Sequence, residues 1–84
     1  MRLKITGKNI TLTEGIKDAV KEKVKKFEKL VGDDAAVDVM LSAKHEKAKG
    51  QRAEITVKTK SSVVRAEVTD EDLYRAINSA VDVV

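Results

Sequence analysis

Two spacings of apolar residues organise the chain. Along Thr13–Val31, Ile16, Ala19, Val20, Val24, Phe27, Leu30 and Val31 recur three and four positions apart, which predicts an amphipathic helix. At about 100° per residue they span roughly 140° of the wheel. Elsewhere the apolar positions alternate. Leu3 and Ile5 do so within Arg2–Thr6, and Val37, Val39, Leu41 and Ala43 within Val37–Ala43. Ala53, Ile55 and Val57 follow within Gln51–Lys60, then Val64, Ala66 and Val68 within Val63–Val68. Period two predicts four strands, each with one buried face. Leu73, Ala76, Ile77, Ala80, Val81 and Val84 return to helical spacing.

Punctuation fits this order. Gly7-Lys8-Asn9 ends the first strand, and Thr13 is the favoured cap of the first helix, with Thr11 and Glu14 as an alternative capping box. Gly32 followed by Asp33-Asp34 stops that helix. Thr69 or Asp70 caps the second, and Asp70, Glu71 and Asp72 put three anions at its positive end. The reading is an α+β fold, βαβββα: a four-stranded mixed sheet with both helices packed on one face. A strand–helix–strand crossover makes the first pair parallel, and short connections make the next two antiparallel. Residues 1–84 are expected to form a single domain.

Charge adds an asymmetry. With 17 basic and 14 acidic residues the net is only +3. Residues 44–60 nevertheless hold six Lys or Arg against two acids, while residues 67–84 hold five acids against one Arg. The absence of cysteine excludes disulfides and thiolate metal sites. No leader or membrane-length apolar run stands out, so a cytoplasmic protein with no membrane partner is expected.

Catalytic chemistry finds little support. His45 is the lone histidine and lies in a polar stretch. The four glycines are isolated, so no phosphate-cradling loop forms. The acids at 70–72 read as a helix start rather than a carboxylate site. A non-enzymatic protein without cofactor, metal or small-molecule substrate is expected. One Phe and one Tyr are too few for base stacking, so any nucleic-acid contact must use phosphates and shape.

Cations on the first helix differ in position. On the wheel Lys21 and Lys25 face solvent, and Lys29 lies between that side and one flank of the stripe. Lys26 sits on that flank beside Ala19, and Lys23 falls inside the stripe, between Ala19 and Leu30. If a second helix packs there, Lys23 and Lys26 line the furrow between the helices, their stems lying over apolar surface. Lys44, Lys47 and Lys49 with Arg52 form a second basic cluster at an expected hairpin loop. On the open sheet face, Arg2, Lys4, Lys58 and Arg65 are expected to cancel against Asp38, Glu54 and Glu67. The alternative use of the molecule is a protein-interaction module, docking through a sheet edge or the acidic second helix.

Several segments together resemble one family over essentially the whole chain. They are the opening strand with Gly7-Lys8-Asn9, Thr13 followed by Lys23, Lys26, Phe27, Glu28 and Lys29, the run Val37–Ser42, and Glu71–Ile77. This pattern is similar to the N-terminal domain of the ribosome hibernation-promoting factors, the group that includes ribosome-associated inhibitor A. The resemblance implies the same βαβββα fold. It also implies a translation inhibitor that binds small-subunit ribosomal RNA near the decoding site and blocks mRNA and tRNA under stress or in stationary phase. Carried over by residue, it points to Lys23, Lys26 and Lys29 as RNA contacts, with Lys8 and Lys17 as weaker matches. Two departures stand out. Val83 occupies a position where a lysine is expected, and the C-terminal domain with which long members pair two ribosomes has no counterpart here.

Overall fold

The computed structural model describes residues 2–31, 34–43 and 50–83, with side chains for residues 2–25, 34–43 and 50–83. The elements are β1 (Arg2–Lys8), α1 (Glu14–Val31), β2 (Ala36–Ala43), β3 (Gln51–Lys58), β4 (Val63–Asp70) and α2 (Leu73–Val83). The strands form one sheet in the order β1-β2-β3-β4. β1 runs parallel to β2, and the other two pairs are antiparallel. This is the expected βαβββα architecture, with both helices on one face.

Register decides which side chains share a face. Leu3, Val37, Val57 and Val64 form one cross-strand row, and Ile5, Val39, Ile55 and Ala66 the next. Both point toward the helices. Val37, Val39, Leu41, Ala53 and Ile55 are fully buried there, against Val20 and Val24 of α1 and Ala76, Ile77, Ala80 and Val81 of α2. Each side chain of this size contributes about 1.5–3 kcal/mol by leaving water. Among the described residues no polar or charged one is buried. The predicted Phe27, Leu30 and Val31 contacts lie outside the described side chains.

Both helices start at the same end of the sheet. β1 and β4 run in the same direction, and each chain turns back over the sheet from there, so α1 and α2 lie side by side and parallel. Thr13 caps α1 as expected: its Oγ1 accepts from the Ile16 amide at 3.2 Å, and its carbonyl accepts from Lys17 at 3.0 Å. The cap of α2 differs from the expectation. Asp72 Oδ1 accepts from the amides of Tyr74 and Arg75, so Asp72, not Thr69 or Asp70, is the N-cap. The reason lies in β4, which runs two residues beyond the predicted Val68. Thr69 and Asp70 pair with Arg52 and Gln51, and ladder bonds take precedence over an early helix start. β1 likewise continues through Gly7 to Lys8. β3 stops at Lys58 rather than Lys60, because Thr59 and Ser62 close a turn through hydrogen bonds between them.

Gly7 lies at a close approach. A Cβ there would meet the Ile10 carbonyl oxygen and Leu12 Cγ at 3.0 Å each. Asn9 then takes φ 58°, the left-handed conformation that asparagine tolerates. Together these two residues fold the Ile10–Leu12 segment back over the end of the core. Gly7→Ala should therefore destabilise the fold by about 1–3 kcal/mol through overpacking. Urea denaturation should show a lower midpoint with an unchanged m-value.

Candidate nucleic-acid interface

Of the nine cations singled out in the sequence, the four whose side chains are described, Lys8, Lys17, Lys23 and Arg52, do not converge on one surface. On α1 the buried residues Ile16, Val20 and Val24 mark the face turned to the sheet. Gly15 marks the flank turned to α2, because a Cβ there would sit 3.4 Å from the Tyr74 hydroxyl. The i,i+4 row starting at Gly15 passes through half-buried Ala19 to Lys23. Lys23 is exposed and makes no hydrogen bond or ion pair among the described residues. The α1 flank that carries Lys23 is thus the one turned to α2. The side chains of Lys26 and Lys29 lie outside the described ones.

Lys17 points elsewhere. It is about 120° from Lys23 around the helix, on the flank away from α2, and its Nζ lies 3.9 Å from Glu14. On the solvent side Lys25 donates to Glu22 Oε2 at 3.2 Å.

Lys8 and Arg52 are on the opposite side of the sheet, in one cross-strand row with Ser42 and Thr69. Arg52 is engaged internally, its guanidinium 2.5 Å from Glu67 and 4.0 Å from Glu54. Lys44, Lys47 and Lys49 fall outside the described residues, as does His45.

Charges on the open face cancel only in part. Arg65 pairs with Glu54 and reaches Glu67 at 4.0 Å, so with Arg52 a four-residue network balances its own charges on β3 and β4, while Lys58 at the end of β3 is exposed with no ion pair among the described residues. On β1, Arg2 and Lys4 are exposed and make no ion pair among the described residues. The period-two pattern placed these residues on the correct face. Which acids would sit opposite them depends on register, which no local signal specifies.

The acids at the start of α2 serve that helix. Asp70 Oδ1 accepts from the Asp72 amide at 3.0 Å and from Arg75 Nη2 at 3.0 Å. Arg75 also donates to Glu71 at 2.9 Å. The Asp72 amide, with Arg75 adding to it, holds the Asp70 carboxyl below its ordinary value of 3.8. Arg75 is raised, first through Glu71 and then through Asp70. These anions engage Arg75 and the amides of the helix terminus. Among the described residues no group of three or more His, Cys, Asp or Glu could hold a metal ion. No helix there is long and apolar enough to cross a membrane.

Comparisons with known proteins point in one direction. A family model described as sigma 54 modulation protein / S30EA ribosomal protein matches residues 3–84. The chain is 34% identical over 80 residues to the ribosome hibernation promotion factor of Bacillus subtilis (strain 168), covering 95% of this chain and 42% of that protein. It is 30% identical over 78 residues to the factor of the same name from Staphylococcus aureus (strain COL), covering 93% and 41%. The chain thus spans less than half the length of these curated relatives. Among solved structures, the N-terminal domain of Thermus thermophilus Protein Y superposes with a TM-score of 0.82 at 36% identity, covering 98% of this chain and 89% of that one. A ribosomal subunit interface protein from Coxiella burnetii shares the fold, with a TM-score of 0.80 at 13% identity over 98% and 87% of the two chains.

A depressed carboxyl stabilises the folded state fully above its ordinary value and loses that contribution as pH falls through the folded one. The stability difference between the wild type and Asp70→Asn should therefore be constant from neutral pH to about 5 and shrink on further acidification. Thermal melts of both proteins across that range check this.

Proposed function

The chain belongs to the family of sigma 54 modulation and S30EA ribosomal proteins, and from that premise we propose that it is a ribosome hibernation factor domain. It binds small-subunit ribosomal RNA near the decoding site, in the cytoplasm, and blocks mRNA and tRNA by occupying their path under stress or in stationary phase. The printed names of its relatives support the hibernation reading. The observation that carries it in this chain is Lys23, exposed and without an ion pair among the described residues, on the α1 flank that meets α2.

The mechanism is occupancy, without catalysis. Lysines over a furrow of apolar floor keep their methylenes on the protein and their ammonium groups at the rim. An RNA backbone laid along that rim exchanges condensed counterions for protein cations, which makes binding strong at low salt and weak at high salt. Base identity plays little part, because Tyr74, exposed at the start of α2, is a single ring among the described side chains and cannot stack successive bases. Shape and charge then select the site.

Sequence places Lys26 beside Lys23 on the same flank. Lys23→Glu/Lys26→Glu should weaken co-sedimentation with small ribosomal subunits. It should also lower the slope of log affinity against log salt by about 1.4–1.8, since each lysine on a phosphate contributes about 0.7–0.9. Circular dichroism should be unchanged, as Lys23 is exposed. Wild-type affinity in this variant would remove the furrow from the mechanism.

A further inference from the structure

The uncancelled half of the open sheet face is a second cationic surface, on the far side of the molecule from the furrow. Arg2, Lys4 and Lys8 occupy alternate positions of β1 and point to this face, all three exposed and without ion pairs among the described residues. Lys4 and Lys8 are four residues apart, about 13 Å along the strand. The facing acid is Asp38, in register with Lys4. The next acid across the sheet, Glu54, is already paired with Arg65 and lies near Arg52.

Between these lysines and the paired network the sheet surface is hollowed. One shallow trough of about 220 Å³ is lined by Lys4, Thr6, Asp38, Met40, Glu54 and Thr56. A second of about 240 Å³ continues past Met40 to Lys8, Asn9, Ser42 and Arg52, with Glu54 again in its lining. The track therefore has a lysine wall, a floor of hydroxyls and one methionine, two carboxylates, Asp38 and the Arg65-paired Glu54, and no aromatic. Hydroxyls and lysines are the side chains that contact phosphate and sugar without reading bases.

We propose that this track along β1 and β2 holds the ribose-phosphate backbone of a second RNA segment, so that the domain bridges two RNA strands lying on its opposite faces. This rests on the reading that the partner is ribosomal RNA, and it adds a contact that the furrow does not supply. Three cations against Asp38 leave the β1–β2 half positive, which matches a polyanion.

The test compares Lys4→Glu/Lys8→Glu with Lys23→Glu, using the whole chain and both isolated small subunits and the RNA extracted from them, across a salt series. Both sheet lysines are exposed and make no ion pair among the described residues, but Lys4→Glu sets a second carboxylate opposite Asp38, so the melting temperature should fall slightly. Lys4→Gln/Lys8→Gln serves as the milder variant if charge reversal perturbs the strand. The sheet variant should lose on the order of tenfold in affinity at low salt, with the salt slope lowered by about 1.4–1.8, on subunits and on extracted RNA alike. Combined with Lys23→Glu, the losses should add. An unchanged affinity in the sheet variant while Lys23→Glu weakens binding would overturn the second contact and leave the furrow standing. A loss on subunits but not on extracted RNA would identify an acidic protein as the occupant and overturn the RNA assignment. If the wild type binds neither, both readings fall together.

Discussion

One-sided burial governs this molecule. Two helices can cover only one face of a four-stranded sheet, so every strand must place its apolar residues on alternate positions facing the same way. Val37, Val39 and Leu41 on β2, and Ala53 and Ile55 on β3, meet that requirement against Val20, Val24, Ile77 and Ala80. A slip of one residue in any strand would turn this set into water. The same constraint produces both candidate surfaces. Packing α1 beside α2 creates a furrow with Lys23 on its rim. Leaving the other face bare exposes Arg2, Lys4 and Lys8.

What separates a functional cation from a structural one is whether an acid already holds it. Arg52, Arg65, Glu54 and Glu67 face one another across β3 and β4 and spend their charges locally. Arg75 does the same between Asp70 and Glu71. Among the described residues, no acid holds Lys23 or the β1 cations in this way. Exposed ion pairs contribute only about 0–1 kcal/mol each to stability, so the effect of pairing on the fold is small. Its effect on the field presented to a polyanion is larger, because it cancels some cations and leaves others.

Most of the fold was legible in the sequence because it is written in periodicity. The 3.6 and 2 spacings, Thr13 as a cap and the short connections together specify βαβββα with both helices on one face. Errors arose where a longer-range pairing overrode a local signal. Thr69 and Asp70 look like a helix start, yet their backbone is claimed by Gln51 and Arg52 across the ladder. The site was less legible. A helical wheel could place Lys23 on a flank, but the neighbour that gives the flank meaning, Tyr74 over Gly15, is distant in sequence. Lys8 and Lys17 carry the same charge as Lys23 yet stand on other surfaces. Charge composition cannot distinguish them, since their positions depend on strand direction and helix phase.

The central claim is that RNA meets the rim cations of the furrow and the free cations of β1, and not the outward face of α1. Amine-reactivity footprinting, with each lysine quantified by mass spectrometry in the free protein and in its complex with small ribosomal subunits, addresses this in one measurement. The account predicts protection of Lys23, Lys4 and Lys8, while Lys21 and Lys25 stay reactive. Protection of Lys21 and Lys25 with Lys23 left reactive would contradict it.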